Sequence, residues 1–372
     1  MLKIACEVPW QNRRFTVPLE RVKHCEQLGF DAVFTAEGAG SDALTPLAYI
    51  AAHTSKIRLG THVATSTARP ATVLAQGLTT IDAMAGGGRV IAGVGNGFPS
   101  IAEGWHGRPW GRPVRRMRDY VGVLRQAFAG QGAHDNAGNV IESTELYWEQ
   151  SRARLANPVR CQSSEISIPY SGGGAFGVEP WSMSVESGFE PEIHLAAVGP
   201  QMLELTAEIA DGWFPWGFAP GMMPTFKPLL DSGFARRTDG KMREDFDVWA
   251  IVDFVVSDDV AGGMDLFRPY VVEWSQNMRM QTEALGFIGL CDRLAELVSA
   301  GRREEALAAV PDDYVDTAFL IGPPTRIAKR LQLWMDSGVT GLIFRYGPQV
   351  RVGTQEIVEA MDVWETIAKA TR

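Results

Sequence analysis

The sequence predicts an α/β protein built as a closed (β/α)8 barrel, a TIM barrel with insertion segments. Three observations carry that expectation. Strand-like runs alternate with helical patterns from the first residues onward, eight such runs are present, and 372 residues is a length such barrels commonly reach, about 200 to over 400. The first run, "LKIACEV", precedes a helix from about Pro18 to Leu28 that ends at Gly29, and "AVFTAE" precedes one from about Leu44 to Thr54. "RLGTHVATS" leads to a helix beginning at Pro70, where Leu74, Leu78, Ile81 and Met84 share a face, and "VIAGVGNG" follows. The fifth run, "EIHLAAVG", turns at Gly199 into a helix with Pro200 in its first position. Met202, Leu205 and Ile209 give that helix an apolar face, and Gly212 is placed to close it. "GWFPWG", "DVWAIVDFVVS" and "GLIFRYG" complete the eight. The excess length falls near 98–111, 130–191 and 257–324, read as insertions into one domain spanning 1–372. A doubly wound dinucleotide fold is disfavoured because "GVGNGF" lacks the third glycine spacing and does not open into a helix.

A formal net charge of −9 argues against nucleic acid or an anionic membrane surface as a partner. The one basic run, Arg112 to Arg118, reads as the solvated start of a helix. Cys6, Cys25, Cys161 and Cys291 lie far apart without a CxxC pair, so they are read as free thiols of a reducing compartment, with no metal site indicated. "MLKIACEVPW" reaches Glu7 too early for a signal sequence, and no apolar run approaches the roughly 18 to 20 residues of a membrane span. The expectation is a cytoplasmic protein acting on a small-molecule substrate, with room for a homodimer.

Barrel chemistry gathers at the C-terminal strand ends, which here are Glu7, Glu37, His62 to Thr65, Gly95 to Gly97, and Val198 with Gly199. Glu7 and Glu37 are candidate acid/base carboxylates, or equally acceptors for loop N–H groups. His62 is a third catalytic candidate, with a structural histidine as its other reading. His53 and His194 read as packing residues, His24 as a helix-surface residue, and His134 as part of an exposed insertion. The glycines around Asn96 and Gly97 admit close approach of a ligand or another backbone. At the fifth corner, Gly199 leaves the first N–H groups of a helix facing open space, an anion site by position and dipole. Trp105, His106 and Trp110 form an aromatic loop that covers a flat ring or plugs the barrel rim. "SGGGAFG" at 171–177 offers N–H groups to phosphate or is a plain connection.

Taken in order, "LGFDAVFTAE", "TSKIRLGTHVATSTARP", "GGGRVIAGVGNG", "EGWHGRPWGRPVRRMRDYVGVLR" and "IHLAAVGPQMLELTAEIADGW" resemble the luciferase-like flavin and deazaflavin oxidoreductases over most of the chain. "EGWHG" and the late "GRREEALAAVPDDYVDTAFLIGPPTRIAKRL" resemble the deazaflavin-dependent branch. The resemblance implies a barrel that binds coenzyme F420, with FMN as the alternative. The cofactor phosphate would lie against the backbone of Val198, Gly199 and Gln201. A bulge with a non-prolyl cis peptide, His62–Val63 by position, would press on the middle ring, helped by Ala64, Thr65, Asn96 and Gly97. Hydride would pass between the deazaflavin C5 and a substrate above the ring.

The chain departs from the family at one place. Many deazaflavin-dependent members carry an acidic residue followed by a proton-handling His after strand two, and here the pair is Glu37-Gly38. Glu37, His62 or a loop residue takes that role, or the reaction needs none. The function implied is hydride transfer between coenzyme F420 and a small organic molecule. Its alternatives are an FMN-dependent monooxygenase fed by a separate reductase and a cofactor-binding flavoprotein without turnover.

Overall fold

The structure, a computed structural model, describes residues 2–8, 15–130, 158–170, 180–347 and 361–372. The chain folds as a closed eight-stranded parallel barrel of β1 (Lys3–Glu7), β2 (Ala32–Thr35), β3 (Arg58–Thr61, resumed at Ala64–Thr65), β4 (Val90–Gly95), β5 (Glu192–Ala197), β6 (Gly212–Pro215), β7 (Asp247–Val256) and β8 (Gly341–Tyr346). The helices after successive strands are α1 (Leu19–Gln27), α2 (Leu44–Ala51), α3 (Ala71–Met84), α4 (Pro113–Ala129), α5 (Pro200–Ile209), α6 (Met223–Phe234), α7 (Pro324–Met335) and α8 (Met361–Ala370). Among the described residues no helix is long and apolar enough to cross a membrane. Two compact units make up the chain, residues 1–35 with 195–372, and residues 36–194.

In the unit formed by 1–35 and 195–372, ring contacts show which way the strands face. Phe34 of β2 meets Phe214 of β6 at 5.4 Å and Trp249 of β7 at 5.6 Å. Neither β6 nor β7 neighbours β2, so these contacts pass through the barrel interior. The strand period of two then turns Ile251 and Asp253 inward with Trp249, while Phe254 faces out and packs on Trp364 of α8 at 5.4 Å. Opposite positions across the ladder are Ala5, Ile343 and Ile251, with Asp253 opposite Arg345 one layer nearer the strand ends. The interior of this unit is therefore apolar in its middle layers, between the Lys3–Asp247 ion pair at the strand starts, 2.6 Å apart, and a charged layer at the strand ends.

Pro200 opens α5 as expected, but the buried stripe is Leu203, Leu205, Thr206, Ala207 and Ala210, while Met202 and Ile209 are half-buried flanks. Gly212 does not close the helix: Ala210 is its extended C-cap, and Gly212 begins β6. His24 also differs from expectation, being half-buried with Nε2 4.0 Å from Glu365 of α8. The insertion near 257–324 is a run of short helices between 260 and 318 with a core of its own. At its centre Phe267 stacks on Phe319 with centroids 4.3 Å apart. Strand Leu320–Gly322 follows and pairs with the far end of β7, on the edge away from β8.

In the unit formed by 36–194, β3 carries a bulge that its register shows directly. Leu59 and Gly60 pair with Val90 and Ile91, whereas Ala64 and Thr65 pair with Val94 and Gly95. Three residues of β3, Thr61 to Val63, thus oppose two of β4, the signature of one inserted residue. The His62–Val63 peptide within the bulge is cis. Across it, Thr61 Oγ1 donates to the Gly93 carbonyl at 2.6 Å and accepts the Gly93 N–H at 2.9 Å. The turn into β4 is held by Asp82, whose carboxylate accepts N–H bonds from Gly88, Arg89 and Val90 at 2.8 to 3.0 Å. Gly87, at φ +83°, has no room for a side chain because a Cβ would lie 2.6 Å from the Phe189 ring. His194 is fully buried, and His53 Nδ1 lies 2.8 Å from the Tyr49 carbonyl. The basic run is not uniformly solvated: Arg116 is buried, and its cation lies 5.5 Å above the Trp110 ring. His134 and the glycine run at 171–177 lie outside the described residues.

Candidate functional site

Within residues 36–194, the strand-three bulge and the loop after it are tied down residue by residue. Glu37, just beyond β2, accepts three hydrogen bonds: Thr65 N–H donates to Oε1 at 2.6 Å, and Arg69 Nη2 and Ala43 N–H donate to Oε2 at 2.6 and 3.3 Å. Its side chain is only 4% exposed, so the Arg69 cation is the partner that makes burying the carboxylate tolerable. Of the two readings open for Glu37, this geometry gives it that of an anchor for the bulge. Ser66 donates to Asn96 Oδ1 at 3.2 Å, and Arg116 Nη2 approaches the same oxygen at 3.4 Å. Thr67 Oγ1 and His106 Nδ1 are 2.9 Å apart, and the Tyr120 hydroxyl donates to the Arg69 carbonyl at 3.0 Å. Burial pushes the Tyr120 pKa up, keeping it a neutral donor.

The segment from His62 to Gly97 thus supplies a half-buried His62 and Val63, a fixed backbone at Ala64 and Thr65, and a left-handed Gly97 at φ +69°. A Cβ on Gly97 would come within 3.0 Å of Thr65 Cγ2, so the two segments approach too closely for another residue there. In the aromatic loop Trp105 is 63% exposed, while Trp110 is occupied by Arg116.

Within 1–35 and 195–372, the last interior layer joins three strands. Arg345 of β8 holds Asp253 of β7 by two bonds, from Nε to Oδ1 and from Nη2 to Oδ2 at 2.7 Å, and its Nη1 lies 3.8 Å from Glu7 Oε2 of β1. Burial alone would depress the arginine pKa, but Asp253 and Glu7 hold it well above its ordinary value. Glu7 is buried, and its carbonyl accepts from Arg21 Nη2 at 2.9 Å. It is an inner carboxylate of a charged layer rather than an open strand end. Asp253 and Arg345 were missed by the strand-end rule; their signal was a charge inside each of two otherwise apolar runs, "AIVDFVV" and "LIFRY".

In the same unit the corner at Gly199 is open. Gly199 is extended at φ −84° and ψ 156°, no side chain caps α5, and a Cβ at Gly199 would meet nothing within 4 Å. Its exposed neighbour Gln201 and half-buried Val198 complete the expected anion-binding backbone. An uncapped N-terminus of a ten-residue helix suits a phosphate, with N–H donors and dipole acting together.

A parallel (β/α)8 barrel carries its chemistry at the C-terminal strand ends, and which chemistry is set by the site rather than by the fold. The chain belongs to the luciferase-like monooxygenase family, whose model matches residues 11–341. A Mycobacterium tuberculosis protein named as a coenzyme F420-dependent oxidoreductase is 31% identical over 343 residues, covering 90% of this chain and 91% of its own. Among solved structures, the coenzyme F420-dependent tetrahydromethanopterin reductase of Methanopyrus kandleri superposes with a TM-score of 0.67 at 19% identity, covering 99% and 98% of the two chains. An F420-dependent secondary alcohol dehydrogenase, solved with an F420–acetone adduct, gives 0.69 at 16%, covering 100% and 99%. Those two likenesses show the fold.

Proposed function

We propose that this chain is a coenzyme F420-dependent oxidoreductase that moves a hydride between the deazaflavin and a small organic substrate. The observation that carries the reading is the 31% identity to the mycobacterial F420-dependent relative along nine-tenths of both chains. Taken unit by unit, the residues present offer groups of the kind the coenzyme needs. The N–H groups of Val198, Gly199 and Gln201 would hold its phosphate, and the backbone from His62 to Thr65, with Asn96 and Gly97, would support the ring. The coenzyme supplies two-electron chemistry. The chain's own work is orientation: Glu37 fixes Thr65 and Arg69, Asn96 ties Ser66, and Thr67 holds His106. With Glu37 engaged by three donors, it serves as a positioning residue, and His62 and Glu7 remain the acid/base candidates.

A net charge of −9 supports an enzyme of small molecules that engages neither nucleic acid nor an anionic membrane, and four well-separated cysteines without a CxxC pair support a reducing, cytoplasmic setting. The family's monooxygenase members keep a second reading in view, an FMN-dependent oxygenase supplied by a separate reductase. The test is to mix the protein with oxidised F420 and a panel of alcohols, following loss of coenzyme absorbance, beside oxygen uptake with reduced FMN. Absorbance loss without oxygen uptake supports the deazaflavin reading. Oxygen uptake alone supports the FMN reading, and neither signal points to a binding protein without turnover.

A further inference from the structure

A small hollow lies at the C-terminal ends of β6, β7 and β8, under the short helices of the 257–324 insertion. Trp216, Asp253, Tyr270, Met278, Tyr314 and Arg345 line it, and its volume is about 20 Å³. That is room for about one water-sized group, so it takes the end of a molecule rather than the whole of one.

Tyr270 sets what that end must be. The residue is 8% exposed, and its oxygen accepts the Trp216 Nε1–H at 3.0 Å while the Arg345 guanidinium faces the same oxygen. With its acceptor side occupied, the phenol has only its proton to offer. Among the described residues no group accepts that proton. A buried donor left unmatched is costly, so the hollow suits an acceptor oxygen. The wall around it is fixed: Gln281 Nε2 donates to the Trp216 carbonyl at 3.0 Å, and Gly217, at φ +68°, brings the chain so close that a Cβ would lie 2.7 Å from Met278 Sδ.

Charge decides the kind of oxygen. Among the described residues Arg345 is the one cation lining the hollow, and both its Nε and Nη2 are committed to Asp253, with Glu7 3.8 Å from its third nitrogen. No positive charge is left over for a carboxylate or phosphate, whereas a neutral oxygen needs only the phenol. Burial also raises the Tyr270 pKa, which keeps the proton on the ring oxygen.

We propose that this hollow receives the oxygen of a neutral carbonyl compound, or of the corresponding alcohol, with Tyr270 as its hydrogen-bond donor. The inference rests on the F420 reading above and names its substrate class. When bound, the coenzyme would supply the hydride to the carbonyl carbon, the C=O π pair would move onto oxygen, and a proton from solvent would complete the alcohol, leaving oxidised coenzyme. Tyr270 would hold that oxygen by its hydrogen bond as charge develops, and oxidation is the reverse.

The test uses the full chain without coenzyme, titrated by ligand-observed NMR with cyclopentanone, methylenecyclopentane and cyclopentanecarboxylate. The ketone is expected to bind about tenfold more tightly than the isosteric alkene, one good buried hydrogen bond's worth, and more tightly than the carboxylate. Tyr270→Phe should bring ketone and alkene together. Ala318→Leu, which fills the hollow and keeps the phenol, should abolish the difference by a second route. A ketone preference that survives both substitutions, tighter carboxylate binding, or no ketone binding would overturn the proposal. Fluorescence titration of the parent with F420 keeps the two readings apart: failure there counts against the F420 reading, while failure of the ketone arm with F420 binding intact counts against the hollow alone.

Discussion

Asp253 and Arg345 stand opposite each other on the paired strands β7 and β8, joined by two hydrogen bonds and buried to 8% and 12% side-chain exposure. The inward-facing layer next to it, with Ile251 and Ile343, is apolar, so this pair marks where the packed interior ends towards the C-terminal strand ends. Removing one partner of such a pair leaves a buried charge. Arg345→Met is therefore expected to destabilise the fold by about 3 to 5 kcal/mol, with part of that recovered in the double variant Asp253→Asn/Arg345→Met. Denaturant unfolding of the four proteins measures it, and additive losses would contradict the coupling.

Glu37 is predicted to act by position. Glu37→Gln keeps the shape but removes the charge that binds Arg69, so stability should fall by about 1 to 3 kcal/mol and F420 affinity should weaken with it. If Glu37 were the acid or base instead, the substitution would delete one limb of the pH profile of kcat/KM. The predicted profile keeps both limbs.

Glu192 gives a pH-dependent stability of known sign. His194, whose Nε2 lies 3.5 Å from the carboxylate, and after it the Arg58 cation 3.0 Å away, hold its carboxyl down at about 2 against an ordinary 4.5. The unfolded chain thus takes up the proton first. The contribution is fully present above 4.5 and is lost as pH falls towards about 2. With a side chain 44% exposed, solvent screens the effect and it should be modest. Glu192→Gln is expected to lower stability modestly at neutral pH, to match the parent as pH falls towards about 2, and so to flatten the curve within that window, as read by urea midpoints.

Gly199→Val places a branched side chain where the N-terminus of α5 is open. The glycine has an ordinary φ of −84°, and a Cβ there would meet no atom within 4 Å, so the fold should persist with unchanged thermal stability. Coenzyme binding should weaken by steric exclusion. Gln201→Ala should do little, because its backbone rather than its side chain is assigned the contact. Parent-like F420 affinity in Gly199→Val would move the phosphate elsewhere.

The sequence made the barrel legible because eight strand runs and the helices between them repeat one local rule, and the corner at Gly199 because Pro200 marks a helix start without ambiguity. Other features depend on partners distant in sequence. Met202 and Ile209 obey helical spacing as well as Leu203 does, and only packing chose the stripe. Arg116 looks like its solvated neighbours until Trp110 folds over it. Tyr270 sits in an insertion of short helices whose repeat is too brief to read. Asp253 and Arg345 were visible as charges in apolar strands, a pattern that requires a buried partner, though neither run reveals which partner it is.

Every role proposed for the site depends on a deazaflavin, rather than FMN, being the cofactor. Titrating the purified protein with each and following fluorescence quenching tests it most directly. F420 is expected to bind more tightly than FMN, and less tightly in Gly199→Val than in the parent; FMN binding as tight as F420 or tighter would overturn the deazaflavin assignment.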